Sequence, residues 1–499
     1  MTNNKNPNPL TVIDFYKTGH IKFYDEGTEY IYSNFTPRST KYLPHVEGTD
    51  DKIVCFGLQY FIKYFLIDLF NQNFFEQPKD VVVKNYQRRM DFSLGKGVVD
   101  TKHIEDLHDL GYLPIAIKAL PEGTVINARI PYFTIINTLP QFFWLTNYLE
   151  DALSCSIWRA STSATIARKY KKIATNAAIA TGADTEFVKF QLHDFQLRGT
   201  SSIQDAMVSG AGFLLSMVGT DNIPAIDFLE DYYNADAEKE LIGCSVAANE
   251  HSCVCAGRKE YEFDNYKRWI SETYPNGIVS LVSDTWDLWN VVTNYLPRLK
   301  DIIMSRDGKV VIRPDSSPKT PLEIICGDPE APKNYPQHKG LIELLWDIFG
   351  GTVNREGYKE LDSHIGAIYG EGISLALSAK IFERLKEKGF ASTNILLGIG
   401  SMSFVLTTRD TCGWAAKATY CEVNGEARDI FKDPVTDDGM KKSAKGLLRV
   451  NKLDGEYVLQ DCCTWEEEQG GELVEVFRDG VLLVDQTLAE IRARVQANI

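Results

Sequence analysis

Two histidines, four aspartates, an arginine and an aromatic ring stand where short apolar runs stop, between residues 187 and 405. The runs end at His193-Asp194-Phe195, Gly219-Thr220-Asp221, Glu250-His251, Ser283-Asp284, Arg313-Pro314-Asp315, Gly370-Glu371-Gly372 and Gly398-Ile399-Gly400. Each residue type suits a task. Arg313 can grip a phosphate with two parallel hydrogen bonds. Asp315 can hold a ribose diol or a magnesium-bound water. Asp284 can orient a histidine or hold metal water. His251, beside Glu250, is the imidazole such an acid would orient and activate. Phe195 can stack on a flat ring, and Arg198 can bind phosphate or a carbonyl oxygen. Asp221 can accept hydrogen bonds from an amide NH2 and repel a carboxylate, which makes it a selector. Together these groups could handle a charged, phosphorylated substrate.

The same residues have plainer readings. Asp221, Asp284 and Asp315 can each cap the helix that follows, with Arg313 paired to Asp315. His251 can be structural, and Phe195 can be core. The usual fingerprints are missing: there is no GxxxxGK[ST] loop and no G-x-S-x-G elbow. Gly398-Ile399-Gly400 is only a fragment of a dinucleotide-binding glycine run.

Strands of a β/α barrel deliver their side chains at their C-terminal ends, so separate run ends can converge on one pocket. From about residue 187 the chain alternates apolar runs with helix-like stretches. Examples are Ile278–Asp284 before Thr285–Tyr295, Lys309–Arg313, and Ile365–Tyr369 before the amphipathic Ile373–Lys388. Such alternation implies parallel strands joined by crossovers. Seven runs predict an irregular β/α barrel over residues 181–405, with a doubly wound sheet as the alternative. Residues 11–180 read as an α/β domain. Its strands are Glu29–Phe35, Leu113–Gly123 and Tyr132–Asn137; its helices are Tyr60–Phe70, Gln141–Cys155 and Ala164–Ala180. Residues 406–499 break into shorter strands, Tyr457–Gln460 and Gly480–Val484, and close with the helix Leu488–Gln496. Residues 1–10 read as a short disordered tail.

The composition is that of a globular protein, 44% hydrophobic and 24% charged. The net charge of −15 argues against nucleic acid as the main partner. An anionic substrate therefore needs a local basic site. Arg409, Lys417, Lys432, Lys441-Lys442 and Lys445 form the best cluster, although Lys441 and Lys442 read more readily as a solvated loop. No apolar run approaches a membrane span. The start reads as no secretory signal, and ten cysteines without a zinc spacing read as reduced thiols, so a cytoplasmic location is expected.

Ten short motifs, in order, resemble those of the nicotinamide phosphoribosyltransferase family. They are Asp14–His20, Gly57–Tyr60, Trp144–Asn147, His193–Phe195 with Arg198-Gly199, Gly219–Asp221, Ala248–Ser252, Val282–Asp284, Ile312–Ser316, Leu406–Asp410 and Phe431–Val435. The resemblance implies a type II phosphoribosyltransferase: an irregular α/β barrel plus an α/β domain built from both chain ends. It implies a homodimer with active sites at the interface. The implied reaction joins nicotinamide to 5-phosphoribosyl-1-pyrophosphate, with Mg2+, giving nicotinamide mononucleotide and pyrophosphate. ATP would transiently phosphorylate a histidine and drive the transfer.

By the same resemblance Phe195 and the partner subunit's Tyr16 sandwich the pyridine ring, with Asp221 at the carboxamide and Arg198 close by. His251 is the phosphorylated histidine, supported by Asp284. Asp284 and Asp315 serve the metal through water, Arg313 contacts phosphate, and Gly370 and Glu371 lie at the ribose. Gly400 and Ser401 cradle the 5′-phosphate, and Arg409 and Lys417 reach phosphate from the second subunit. Two departures stand out. Position 371 is Glu where the family has Asp, and the run Gly398–Met402 is poorer in glycine. The nearest rival is a nicotinate phosphoribosyltransferase. A non-catalytic nucleotide-binding protein and a metal-dependent hydrolase are more distant alternatives.

Overall fold

The computed structural model describes residues 7–432 and 443–499. Most of the predicted tail, the motif end Asp433–Val435 and the pair Lys441-Lys442 lie outside the described residues. The described end of that tail is ordered, contrary to expectation. Pro9–Thr11 forms a 3-10 turn capped by the Asn8 side chain, and Leu10 is fully buried. A buried leucine side chain contributes about 1.5–3 kcal/mol, enough to hold a short turn in place.

The seven apolar runs form one parallel sheet. Its order is Gly219–Thr220, Leu192–Phe195, Ile395–Gly400, Ile365–Tyr369, Val310–Arg313, Val279–Val282 and Ala247–Ala248. The sheet curls, and Cys244, three residues before the Ala247–Ala248 edge, bridges to the Gly219–Thr220 edge. The Cys244 amide donates to Val218 O at 2.7 Å, and the Thr220 amide donates to Cys244 O at 2.9 Å. The run Val279–Val282 is buried throughout and Ile365–Tyr369 likewise, as expected of strands covered on both faces.

The connecting helices explain themselves by their apolar spacing. Leu375–Glu387 is capped by the Ser374 hydroxyl and buries Leu375, Ser378, Ile381, Phe382 and Leu385 along one stripe. Asp287 caps the helical turn at Leu288, three residues later than the expected start at Thr285.

The second sheet is antiparallel and takes strands from both halves of the chain. Its order is Glu426–Asp429, Trp414–Val423, Thr28–Pro37, Phe133–Asn137, Ile115–Ala119, Val474–Arg478 and Val481–Leu482. The predicted helices Gln141–Cys155 and Ala164–Ala180 are divided differently: Pro140–Phe142 and Leu145–Tyr148 are short helical pieces, and one long helix follows. Glu150–Ala180 runs unbroken for 31 residues between the two sheets' domains. It carries the polar run Ser161–Ser163 and Thr165 in its middle. All are buried, and Ser161 and Thr165 bond the backbone of Val54. Tertiary burial here overrides a weak local preference.

Candidate active site

Six of the seven strand ends open on one cavity of about 920 Å³. Phe195, Arg198, Asp221, His251, Arg313, Asp315, Gly370, Glu371, Gly400 and Ser401 line it together. Asp284 lies just behind, with its side chain almost buried.

The capping alternatives fail one by one. The helix after Asp221 starts at Ile223 with Asn222 at the cap, and Asp221 points elsewhere, accepting from Ser245 Oγ at 2.5 Å. The turn after Asp284 is capped by Asp287, and the helix after Asp315 by Thr320. All three carboxylates are therefore available to the cavity or to the residues that line it.

Asp284 is a junction. Its Oδ1 lies 3.0 Å from His251 Nε2, and its Oδ2 accepts from the Asp315 amide at 2.9 Å and from Ser316 Oγ at 2.5 Å. One carboxylate thus fixes the imidazole of one strand end and the backbone of another. The His251 ring is half-exposed, so its far edge faces the cavity. With Nε2 donating to Asp284, the lone pair sits on Nδ1. Glu250, the other acid beside it in sequence, is engaged with the Ser252 hydroxyl.

Arg313 donates through Nη2 to Asn249 O at 2.5 Å, while its buried Nε has no partner among the described residues. Asn249 in turn accepts the Val282 amide at 2.7 Å through Oδ1. The guanidinium is thereby held with donors left over. Burial pushes the Asp315 carboxyl above its ordinary value; Arg313 opposes this and Asp284 adds to it. A carboxylate in that setting favours a cation beside it.

Gly370 and Gly398 serve the aromatic ring. A Cβ on Gly398 would lie 2.1 Å from Phe195 Cδ2, and one on Gly370 would lie 2.7 Å from Phe195 Cε2. Only glycine lets the ring lie flat across these two strands. Gly199 plays a similar part between loops: a Cβ there would fall 2.1 Å from Ser401 Oγ.

Three expected site residues stand outside this cavity. Tyr16 is 60% exposed on the 3-10 helix Phe15–Lys22. Arg409 sits in the turn Arg409–Thr411 beside Asp410, with 3.7 Å between charges. Lys417 lies on Trp414–Val423, donates to Ala416 O at 2.7 Å, and lines a smaller cavity of about 210 Å³ with Arg38 and Arg129. Burial pulls its pKa below the ordinary lysine value, against the pull of Glu150. Sequence reasoning overlooked Asp194, Asn249 and Ser245. The first two stand inside quoted motifs, but only burial and contacts give them a part. Ser245 precedes its strand and carried no signal.

A resident Mg2+ would be held best at Asp315. None of the described residues donates a hydrogen bond to that carboxylate, whereas three donors already occupy Asp284. No group of three or more His, Cys, Asp or Glu side chains able to hold a metal ion occurs among the described residues. A metal shared with an anionic ligand, rather than caged by protein, suits such a site.

Comparison with known proteins shows the family. Residues 190–479 match the nicotinate phosphoribosyltransferase (NAPRTase) family, and residues 8–117 match the N-terminal domain of nicotinamide phosphoribosyltransferase. A nicotinamide phosphoribosyltransferase of Acinetobacter baylyi is 52% identical over 98% of this chain and 97% of its own length. One of Xanthomonas campestris is 30% identical over 98% of each chain. Among solved structures, a nicotinate-nucleotide pyrophosphorylase from Pyrococcus furiosus matches all of this chain and 98% of its own, with a TM-score of 0.57 at 14% identity. Human nicotinic acid phosphoribosyltransferase matches 97% of this chain and 93% of its own, with a TM-score of 0.55 at 14% identity. These two likenesses speak for the fold. The family matches and the two relatives go further: this chain belongs to the nicotinamide phosphoribosyltransferase family of pentosyltransferases.

Proposed function

We propose that this protein transfers the phosphoribosyl group of 5-phosphoribosyl-1-pyrophosphate to nicotinamide, as a step of NAD salvage. The observation that carries the reading is Asp221, an exposed carboxylate opening on the same cavity as Phe195. A ring laid on Phe195 would bring its amide NH2 to an acceptor; a nicotinate carboxylate would meet a like charge, which costs several kcal/mol when solvent is excluded. The pyridine nitrogen carries a lone pair and no proton, so the site needs no strong base for the ring. Placement against the anomeric carbon is then the main contribution of the protein. Arg313 binds phosphate with its remaining donors, and Asp315 holds the ribose hydroxyls or the metal water. Mg2+ would supply charge neutralisation for the departing pyrophosphate.

We further propose that ATP phosphorylates His251. Nδ1 attacks the γ-phosphorus, ADP leaves, and the positive charge on the ring is balanced by Asp284. The 3.0 Å contact between His251 and Asp284 supports this. We also propose a homodimer in which Tyr16, Arg409 and Lys417 complete the partner's site. Leu197, Ile203, Ile223, Val246, Met402 and Leu406 are exposed apolar residues on loops and helix starts near the cavity, as an interface would require. A cytoplasmic location is part of the proposal and rests on ten free thiols.

The test offers equimolar nicotinamide and nicotinate to the protein with 5-phosphoribosyl-1-pyrophosphate and Mg2+, with and without ATP, and reads products by mass spectrometry. Dominant nicotinamide mononucleotide is expected. Dominant nicotinate mononucleotide would replace the substrate and retain the reaction class.

A further inference from the structure

Beneath the ring pocket lies a buried polar network that the reading above does not use. Asp194, at the end of Leu192–Phe195, is completely buried. Its Oδ1 accepts the Gln196 amide at 2.9 Å, and its Oδ2 accepts Asn222 Nδ2 at 3.1 Å. Its backbone oxygen accepts the Asp221 amide at 3.0 Å. Asn222 Nδ2 also donates to Ala206 O at 2.9 Å, and Ser209 Oγ donates to Gln196 Oε1 at 2.7 Å, so the helix Ile203–Leu214 joins the same network. The fit is close: a Cβ on Gly210 would lie 2.3 Å from Asn222 Nδ2 and 3.0 Å from Asp194 Oδ2.

Burying a carboxylate is costly unless its hydrogen bonds compensate. A network kept only for stability would be fully satisfied. This one is not, because Asn222 Oδ1 is buried without a partner among the described residues. What the carboxylate does achieve is geometric. It ties the segment that carries Phe195 and Arg198 to the turn that carries Asp221. We propose that Asp194 is a positioning residue for the acceptor ring, fixing Asp221 relative to the Phe195 face so that ring and carboxamide are met together. This rests on the ring-pocket reading given under Proposed function.

The full-length protein carries the test, with Asp194→Asn, Asp194→Ala, Asn222→Ala and the double variant Asp194→Ala/Asn222→Ala. A misplacement near 1 Å can cost on the order of a hundredfold, so KM for nicotinamide should rise about ten- to a hundredfold. KM for 5-phosphoribosyl-1-pyrophosphate should stay near wild type. The double variant should be no worse than the worse single one, since both cut the same tether. Asp194→Asn should recover part of the loss seen in Asp194→Ala.

A pH profile adds a readout that a merely structural role would not move. Burial raises the Asp194 pKa to about 6. Wild-type KM for nicotinamide should therefore rise as pH falls through about 6, when protonation removes an acceptor, and Asp194→Asn should be flat there. Of the groups facing this carboxylate, Asp221 is charged and adds to the upward shift; Gln196, Asn222, Ser209 and Gly210 are not. Burial keeps the neighbouring His193 below its ordinary value. Unchanged KM for nicotinamide in a folded Asp194→Asn protein would overturn the proposal. So would KM values for both substrates rising together with a fall in thermal midpoint. If the Asp194 variants do not fold, an unchanged KM in Asn222→Ala overturns it instead. A wild-type protein that makes no nicotinamide mononucleotide defeats the ring-pocket reading itself, and this proposal with it.

Discussion

At the scale of single residues, two carboxylates with different surroundings do different work. Asp221 is exposed to the cavity and is expected to choose the substrate. Asp221→Asn should narrow the preference for nicotinamide over nicotinate by about ten- to a hundredfold, the equivalent of roughly 1.4–3 kcal/mol. Competition between nicotinamide and nicotinate under kcat/KM conditions measures it; an unaltered ratio would place the selector elsewhere. Asp284 is engaged by His251, the Asp315 amide and Ser316. His251→Ala should abolish ATP stimulation while leaving basal transfer. Equal loss of both activities would mean that the imidazole serves the transfer step directly. Asp194 gives a stability signature as well. Its pKa rises from 3.8 to about 6 on burial, so the folded state binds this proton more tightly than the unfolded chain. The stabilisation it brings is therefore full below about 4 and lost as pH rises through about 6. The change is on the order of 3 kcal/mol. Denaturant titrations of wild type against Asp194→Asn across that window should differ by this slope.

At the scale of elements, the site depends on how closely neighbouring strands and loops approach. Ile395–Gly400 pairs in parallel with Leu192–Phe195, and Gly398 stands opposite His193 in register. The Phe195 ring crosses over Gly398 and Gly370 because neither has a side chain. Gly398→Ala should push the ring out of its plane and lower kcat/KM for nicotinamide about tenfold or more, with less effect on binding of the phosphoribosyl donor. Separate saturation curves for the two substrates decide this. An equal effect on both would point to general damage of the strand. The long helix Glu150–Ala180 shows the same principle at larger range. Its hydroxyl-bearing stretch is helical because Val54 and its neighbours pack on it and accept or donate to Ser161 and Thr165.

At the scale of the whole molecule, Arg198 and Arg313 are the basic residues that line the cavity of one chain. Arg409 and Lys417 face elsewhere, and the net charge of −15 makes a local basic supply necessary for an anionic donor. If two copies exchange these residues, two dead variants should rescue each other. Asp315→Ala and Lys417→Ala proteins, each inactive alone, form hybrids with one intact site. Statistical mixing of subunits in a two-fold dimer should return about a quarter of wild-type activity. Absence of rescue in a verified hybrid would mean that each site is built within one chain.

What the sequence determined by itself was periodic and local. Short apolar runs followed by polar ends announced parallel strands, and the residue types at those ends announced the chemistry, because each strand must deliver its terminal side chains to one rim. His251, Asp284, Arg313 and Asp315 were legible in that way; the family resemblance assigned roles to the rest, of which Tyr16, Arg409 and Lys417 line no part of this cavity. What only the tertiary structure decided was which neighbour each group meets. That Asp221, Asp284 and Asp315 are not helix caps depends on where Asn222, Asp287 and Thr320 begin their helices, a matter of one to five residues. That Gly370 and Gly398 make room for Phe195, and that Asp194 lies buried under the pocket, depends on contacts between segments distant along the chain. Hydrogen-bond partners and burial arise from packing between elements, and no spacing within one element encodes them.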